Sequence, residues 1–208
     1  MTSPVRAVDL DAAPSGPVEV VLALGSNLGD RLTHLQAAVD GIAREDGLEV
    51  VAVSPVVETE PVGGPEQADY LNAVVLVRCR LSPRNLLARC QRMEAEQGRE
   101  RSIRWGPRTL DVDVITFGSL LSSAEDLTLP HPRAHERAFV LAPWARLDPE
   151  ATLPGPDGGP VGTLASRAAD RTGVRTRHDL LLRLPSSRLG DDEGGRGRPG
   201  GEDAEGRA

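Results

Sequence analysis

Two aspartates separated by one residue, Asp111 and Asp113, are the residues of this sequence best suited to chemistry. They lie among residues that favour an extended backbone. Successive side chains of a strand point to opposite faces, so both carboxylates are expected on one face. The apolar Val112 and Val114 then point into a core, which sets the register of the strand. Paired carboxylates suit Mg²⁺, which divides its coordination shell among carboxylates, water and substrate phosphates. The spacing therefore predicts a magnesium site.

Four arginines crowd the segment just before this strand: Arg99, Arg101, Arg104 and Arg108. Guanidinium groups bind phosphate oxygens through two parallel N–H bonds, so this segment is suited to holding a phosphorylated substrate. The competing interpretation is a solvated strand face whose charges balance one another. A lone D-x-D motif favours that interpretation, whereas the adjoining arginines and the Trp-Gly-Pro at 105–107 favour a phosphate site.

Hydrophobic periodicity predicts the elements that position these groups. Strands are expected at residues 18–24, 48–57, 70–81 and 109–117, helices at 30–44 and 83–97, and a Pro- and Gly-rich loop at 58–69. Asp30 and Ser82 have side chains that cap helix N-termini. The order β-α-β-β-α-β predicts an α+β, ferredoxin-like sandwich in which both helices cover one sheet face. After a short hairpin that begins at Gly118, helical additions are expected at 137–146 and 161–170.

A short polar turn, Gly25-Ser26-Asn27, follows the first predicted strand. It has neither the lysine and spacing of a P-loop nor the three glycines of a dinucleotide-binding fingerprint, so neither assignment holds. We expect a tight turn in which Asn27 forms hydrogen bonds with neighbouring groups of the site. A purely structural turn is the alternative.

Composition excludes several classes of partner. The net charge of −7 argues against general nucleic-acid binding, because affinity for a phosphate backbone requires a basic face. No segment approaches the length of a membrane span, and the first seventeen residues lack the apolar stretch of a secretory signal. We therefore expect a cytoplasmic protein without membrane or nucleic-acid partners, and we expect it to act as a monomer on small molecules.

The stretch R-W-G-P-R-T-L-D-V-D-V, from Arg104 to Val114, resembles the signature of the 6-hydroxymethyl-7,8-dihydropterin pyrophosphokinase family. These enzymes transfer pyrophosphate from ATP to a pterin alcohol in folate biosynthesis. The resemblance extends over residues 18–169 and implies a ferredoxin-like fold, ATP as co-substrate and two Mg²⁺ ions held by Asp111 and Asp113. Four further segments resemble the family in the same order: Leu22–Arg31, Thr59–Val74, Gln91–Arg101 and Leu127–Phe139.

The same resemblance implies how the pterin is bound. The flat ring would lie between Tyr70 and Phe139, while Asn72 reads its polar edge. A small heteroaromatic ring is oriented by aromatic side chains that stack on its faces and by a polar side chain that forms hydrogen bonds with its edge. Thr59 and Val62 would contribute through the backbone of their loop.

The resemblance also implies roles around the nucleotide. His131 and Arg137 would contact the triphosphate, and Gln91 and Glu94 would share a helix face near adenosine. We expect the segment 97–107 to be mobile without ligand and to close when ATP binds. Arg99 and Arg108 would stabilise charge on the migrating group, and Arg101 would bind the nucleotide phosphates. On closure Trp105 would fold over the pterin.

Two other functions remain open from the residues alone. A Mg²⁺-dependent phosphohydrolase or nuclease uses a D-x-D motif but needs no aromatic pair for a pterin. A catalytically silent ferredoxin-like module would bind metabolites without turnover. The products formed from ATP distinguish all three.

The chain is predicted to comprise four segments. Residues 1–17 are expected to form a disordered N-terminal extension, 18–170 the pyrophosphokinase domain, 171–185 a C-terminal extension and 186–208 a disordered tail. The tail is dominated by glycine and charged residues, which cannot bury enough apolar surface to become ordered. Removing residues 1–16 or 186–208 is expected to change neither the melting temperature nor the activity.

Overall fold

The computed structural model describes residues 9–61, 65–98 and 106–185. The helices in these ranges are α1 (Arg31–Arg44), α2 (Pro83–Glu96), α3 (Ala138–Leu147) and α4 (Val161–Arg167). None of them is long and apolar enough to cross a membrane. The strands in the same ranges are β1 (Val18–Ser26), β2 (Leu48–Val53), β3 (Val57–Thr59), β4 (Tyr70–Cys79), β5 (Asp111–Phe117), β6 (Ser122–Ser123), β7 (Thr128–Leu129), β8 (Thr152–Leu153), β9 (Gly159–Pro160) and β10 (Arg175–Thr176).

The largest sheet has six strands and is antiparallel. Its order is β10-β3-β4-β1-β5, and β2 pairs with β4 next to β3. Because α1 connects β1 to β2 and α2 connects β4 to β5, this is the ferredoxin-like arrangement, and the predicted fold class is confirmed. Among the described strands β5 pairs with β1 alone, so it forms an edge of the sheet.

Alternating residues of the sheet pack into two clusters, one on each face. On one face Leu22 of β1 packs with Leu35 of α1 and Leu86 of α2. On the other face Val21 of β1 packs with Trp144 of α3. The prediction that α1 and α2 cover one face is confirmed, and α3 covers the face that the sequence analysis left open.

The strand predicted at residues 48–57 is instead two strands, β2 and β3. Pro55 interrupts it, because proline has no N–H to donate to a sheet. Ser54 bridges the break: its N–H donates to the Val74 carbonyl at 2.9 Å, and its Oγ accepts the Val74 N–H at 2.8 Å. β3 consequently holds Thr59 in the sheet, where a loop was predicted.

Both predicted helix caps are confirmed. Asp30 Oδ1 accepts the Thr33 N–H at 3.1 Å, and Ser82 Oγ accepts the Asn85 N–H at 3.3 Å. Each bond satisfies an N–H group that the first helical turn leaves without a partner. Local sequence therefore determines where α1 and α2 begin.

Leu10 and Asp11 contact the helix layer, which differs from the disorder predicted for residues 1–17. Removal of residues 1–16 is therefore expected to lower the melting temperature rather than leave it unchanged. Leu10 is only 5% exposed and joins the cluster that α1 and α2 cover. Its carbonyl accepts the Arg84 N–H at 3.1 Å, and Asp11 pairs with the Arg84 guanidinium at 2.6 Å. A single leucine in a polar segment has no periodicity, so the sequence could not reveal this contact. The other predicted disordered residues, 1–8 and 186–208, lie outside the described ranges.

Leu10→Ala is expected to lower the free energy of unfolding by about 2 kcal/mol, because the substitution leaves a cavity that the neighbouring side chains fill only in part. Urea denaturation measures the change. Leu181→Ala, at a position 77% exposed, is the matched control and is expected to change that free energy by less than about 0.5 kcal/mol. Equal effects of the two variants would contradict the burial of Leu10.

The predicted C-terminal extension, residues 171–185, contributes strand β10 to the largest sheet. β10 pairs with β3 along its outer edge. The Glu58 carboxylate on β3 binds Arg177 at 2.8 Å and Arg31 at 2.9 Å. Arg31 also donates to the Asp69 carbonyl at 2.7 Å. These contacts hold both ends of the segment between β3 and β4.

Candidate active site

An open cavity of about 850 Å³ lies at one end of the sheet. It is bordered by the C-terminal end of β1 and the N-terminal ends of β4 and β5, which meet because the strands are antiparallel. The start of α3 and the segment from α4 to residue 173 form further walls. Predicted site residues that line the cavity are Thr59, Tyr70, Asn72, Arg108, Asp111, Asp113, Arg137 and Phe139.

The two aspartates occupy one face of β5, as the strand periodicity predicts. Asp111 and Asp113 both line the cavity. Val112 and Val114 are buried on the opposite side, in the cluster that α1 and α2 cover. The packing of these valines therefore fixes the direction in which the carboxylates project.

Two arginines and a histidine surround the carboxylate pair. The Arg108 guanidinium donates to the Asp111 carboxylate. Nη1 of Arg137 lies 3.3 Å from Asp113 Oδ2, and Nε2 of His131 lies 3.9 Å from the same oxygen. The Asp113 side chain is still 35% exposed, so it is accessible from the cavity. Such a mixed set of charges can bind an anionic substrate and a divalent cation together.

Asn72, the residue predicted to form hydrogen bonds with the polar edge of the pterin, is held in a defined orientation. It is 5% exposed, and its Nδ2 donates to Thr59 Oγ1 at 2.9 Å. A Cβ on Gly25 would lie 3.2 Å from Asn72 Oδ1, so glycine gives this amide room at the cavity wall. The Tyr70 hydroxyl donates to Gln67 Oε1 at 3.4 Å. An amide and an aromatic ring therefore reach the same cavity from one strand.

Phe139 borders the cavity from a different element, the first turn of α3. The Cζ atom of Arg137 lies 5.6 Å from the centre of its ring, within cation–π range. Tyr70 and Phe139 thus supply two aromatic side chains to one cavity, beside the amide of Asn72. This is the composition expected of a site that stacks a flat heteroaromatic ring.

Burial, together with the positive charge of Arg137, lowers the pKa of His131 from 6.5 to about 4. Nδ1 of this ring accepts the Arg133 N–H at 3.2 Å, which leaves the proton on Nε2, the atom that faces Asp113. His131 is therefore a neutral hydrogen-bond donor at physiological pH.

This pKa links His131 to acid stability. The unfolded chain binds a proton at His131 as the pH falls through 6.5, whereas the folded chain does so only near 4. The stability contribution is therefore present above pH 6.5 and is lost towards pH 4.

Between pH 7.5 and 5, wild type is expected to lose about 2 kcal/mol more unfolding free energy than His131→Asn in urea titrations. His178→Asn, at an exposed position, is the control and should behave as wild type. Equal losses in wild type and His131→Asn would contradict the lowered pKa.

Comparison with known proteins identifies the family. Residues 21–149 match the sequence model of the 7,8-dihydro-6-hydroxymethylpterin-pyrophosphokinase (HPPK) family. The chain belongs to this family. The 2-amino-4-hydroxy-6-hydroxymethyldihydropteridine pyrophosphokinase of Mycobacterium leprae is 51% identical over 191 residues, which cover 81% of this chain and 93% of the relative. The enzyme of the same name from Bacillus subtilis is 46% identical over 126 residues, or 61% of this chain and 75% of the relative.

Solved structures agree with the pyrophosphokinase fold. Wild-type Plasmodium falciparum HPPK-DHPS, crystallised with pterin and p-hydroxybenzoate, aligns with a TM-score of 0.61 over 80% of this chain. This chain spans 48% of that protein's length, and the sequences are 13% identical. At that identity the likeness establishes the fold alone.

Asn27 connects three segments around the cavity, which confirms the hydrogen bonding predicted for the turn after β1. Its Oδ1 accepts the Arg108 N–H at 2.7 Å, and its own N–H donates to the Arg108 carbonyl at 3.1 Å. Its Nδ2 donates to Gln67 Oε1 at 2.9 Å and to the Ala68 carbonyl at 3.1 Å. One amide therefore sets the backbone next to Arg108 and the approach to β4.

Gln91 and Glu94, which were predicted to share one face of α2, differ in their exposure. Gln91 is exposed, whereas Glu94 is 4% exposed and neither residue lines the cavity. Glu94 Oε1 accepts the Val112 N–H at 2.9 Å. A helix lying on a sheet buries one side of its surface and exposes the other. Glu94 lies on the buried side of α2, whereas Gln91, one turn earlier, lies on the exposed side. Their roles at the nucleotide remain predictions.

Several predicted site residues lie outside the described residues: Val62, Arg99, Arg101 and Trp105. The predicted closing segment, 97–107, falls largely in the same gap. In the described part of the chain, no group of three or more His, Cys, Asp or Glu side chains is placed to hold a metal ion.

The sequence analysis missed one wall of the cavity. Asp170 and Thr172, which follow α4, line it, as do Arg133 and His135 before α3. Residues 164–173 lie beyond the segment that matches the family. No motif marks them, because their position depends on how α4 packs against α3.

Proposed function

We propose that this protein transfers pyrophosphate from ATP to 6-hydroxymethyl-7,8-dihydropterin, giving AMP and the pterin diphosphate, as a step of folate biosynthesis. The observation that carries the proposal is one cavity that combines two kinds of site. Tyr70, Asn72 and Phe139 suit a flat heteroaromatic, and the aspartates of β5 with their cationic neighbours suit a triphosphate. Family membership supports the same reaction.

In the proposed reaction the hydroxymethyl oxygen attacks the β-phosphorus of ATP. The bond from that phosphorus to the oxygen bridging it to the α-phosphate breaks, AMP departs with that oxygen, and the proton of the alcohol is released to solvent water. Such a transfer depends on positioning and charge stabilisation rather than on a covalent enzyme intermediate. No separate general base is assigned.

Asp111 and Asp113 are the residues proposed to hold two Mg²⁺ ions. Their side chains fit that metal, because Mg²⁺ is bound in proteins by one or two carboxylates and takes its remaining ligands from phosphates and water. The absence of a third His, Cys, Asp or Glu ligand among the described residues is compatible with such a site. When bound, Mg²⁺ would neutralise phosphate charge and lower the pKa of the attacking alcohol.

The surrounding side chains have separable tasks in this proposal. Arg108 and Arg137, which contact the aspartates, would turn part of their hydrogen bonding to phosphate oxygens. The Nε2–H group of His131 would donate a hydrogen bond to a phosphate oxygen, and the neutral ring would add no charge. Asn72 would orient the pterin so that its hydroxymethyl group points towards β5. We also propose that the protein acts as a monomer, since one chain supplies both the aromatic and the charged residues of the cavity. We further propose that it acts in the cytoplasm.

The test separates the products formed from ATP. The protein is incubated with ATP, Mg²⁺ and 6-hydroxymethyl-7,8-dihydropterin, and nucleotides are resolved by chromatography. AMP formed in equal amount with pterin diphosphate, and only when the pterin is present, is the expected result. ADP with phosphate, or ATP loss without the pterin, would instead support a phosphohydrolase. Pterin binding without any turnover would support a silent binding module.

A further inference from the structure

The first turn of α3 lacks a cap from its own sequence. Arg137 occupies the N-cap position, and its side chain makes no capping hydrogen bond. This turn nevertheless carries two residues of the site on either side of Ala138: Arg137, which contacts Asp113, and Phe139, which borders the cavity. The orientation of both side chains depends on where α3 begins.

Asp170 supplies the missing cap from another part of the chain. Its Oδ1 and Oδ2 accept the Ala138 N–H at 2.9 and 3.2 Å. A carboxylate at this position satisfies an orphan N–H of the first turn and also interacts favourably with the helix dipole. Asp170 therefore replaces the local cap that Arg137 cannot provide.

The backbone that carries this carboxylate is itself held in place. Ala168, two residues earlier, is 5% exposed and belongs to the core cluster that α3 covers. The Asp170 carbonyl accepts the Gly173 N–H at 3.0 Å in the short helical turn that follows. Asp170 is thus anchored on both sides, so it can fix α3 rather than move with it.

We propose that Asp170 is a positioning residue for catalysis: by capping α3 at Ala138 it orients Arg137 and Phe139 towards the substrates. The proposal rests on the proposed pyrophosphokinase function. Asp170 lies outside residues 21–149, so this contribution comes from the C-terminal segment and not from the segment that matches the family. Substitution of Asp170 should weaken pterin binding, because Phe139 would no longer be held in position to stack on the pterin ring.

The test compares Asp170→Ala, Asp170→Asn and the control Asp157→Ala, an exposed carboxylate in the same half of the chain. Asp170→Ala is expected to raise KM for the pterin roughly tenfold and to lower kcat, since small misplacements of site groups have large kinetic effects. Asp170→Asn keeps an oxygen that accepts the Ala138 N–H and should stay within about twofold of wild type. Asp157→Ala should match wild type.

KM does not depend on the fraction of folded enzyme, so it separates positioning from a loss of stability. Amide exchange of peptides covering residues 137–141 should be faster in Asp170→Ala than in Asp157→Ala. An unchanged KM in Asp170→Ala, or an Asn variant as impaired as the alanine variant, would overturn the proposal. Failure of wild type to form AMP would overturn the proposed function instead, while the exchange measurement still tests the cap.

Discussion

Asp113→Ala and Asp111→Ala are each expected to lower kcat by roughly 10²- to 10³-fold. Each substitution removes a carboxylate that lines the cavity from a strand whose opposite face is packed in the core. The proposed Mg²⁺ site would lose one of two protein ligands, and Arg108 or Arg137 would lose the partner that orients it. Asp113 is expected to matter at least as much as Asp111, because both Arg137 and His131 lie near it.

Steady-state assays of AMP formation at saturating substrates and varied Mg²⁺ measure this effect. Glu49→Ala is the matched control, because Glu49 is an exposed carboxylate on β2 of the same sheet and lies outside the cavity. All three variants should keep their melting temperature within a few degrees of wild type, since the core valines of β5 are untouched. Near wild-type kcat for either aspartate variant at millimolar Mg²⁺ would contradict the metal assignment.

The parts of this site that the sequence predicts are those with local causes. The two aspartates follow from strand periodicity, and the start of α1 follows from the side chain of Asp30. In both cases the deciding interaction involves neighbours in sequence or on one strand. Asn27 is predicted only in part: its position after β1 indicates a polar turn, but its partners Gln67 and Arg108 belong to distant segments.

The parts that the sequence does not predict depend on contacts between distant segments. Leu10 packs under the helix layer from an otherwise polar segment, and Asp170 caps a helix that begins thirty-two residues earlier. Pro55 is an intermediate case, because it marks a break in the predicted strand but not the pairing of β3 with β10. Such contacts become visible only when the layers are assembled.

Glu94 offers the sharpest disagreement between the sequence interpretation and the structure. The family resemblance implies a contact near adenosine, whereas the side chain is buried and accepts the N–H of Val112, the residue between the two aspartates. Because β5 is an edge strand, the N–H of Val112 has no neighbouring strand on that side among the described residues. Glu94 therefore satisfies a donor that would otherwise be buried without a partner.

Glu94→Ala is expected to lower the free energy of unfolding by about 2 kcal/mol, because it leaves the Val112 N–H unsatisfied in the core. It is also expected to lower kcat by about tenfold or more. The reason is that β5, which carries the two aspartates, loses the hydrogen bond between its Val112 N–H and Glu94. Glu94→Gln retains an oxygen that can accept the same N–H. This variant should lie between wild type and Glu94→Ala in both quantities.

Two measurements decide between the strand anchor and the nucleotide contact. Urea denaturation reports the unfolding free energy, and initial rates at varied ATP separate kcat from KM. A strand anchor predicts a stability loss together with a lower kcat and a smaller change in KM for ATP. A nucleotide contact predicts the reverse: wild-type stability with a KM for ATP raised in both variants. Exposed Gln91, changed to alanine, is the control on the same helix, because it lacks the buried bond to β5 and should leave stability unchanged.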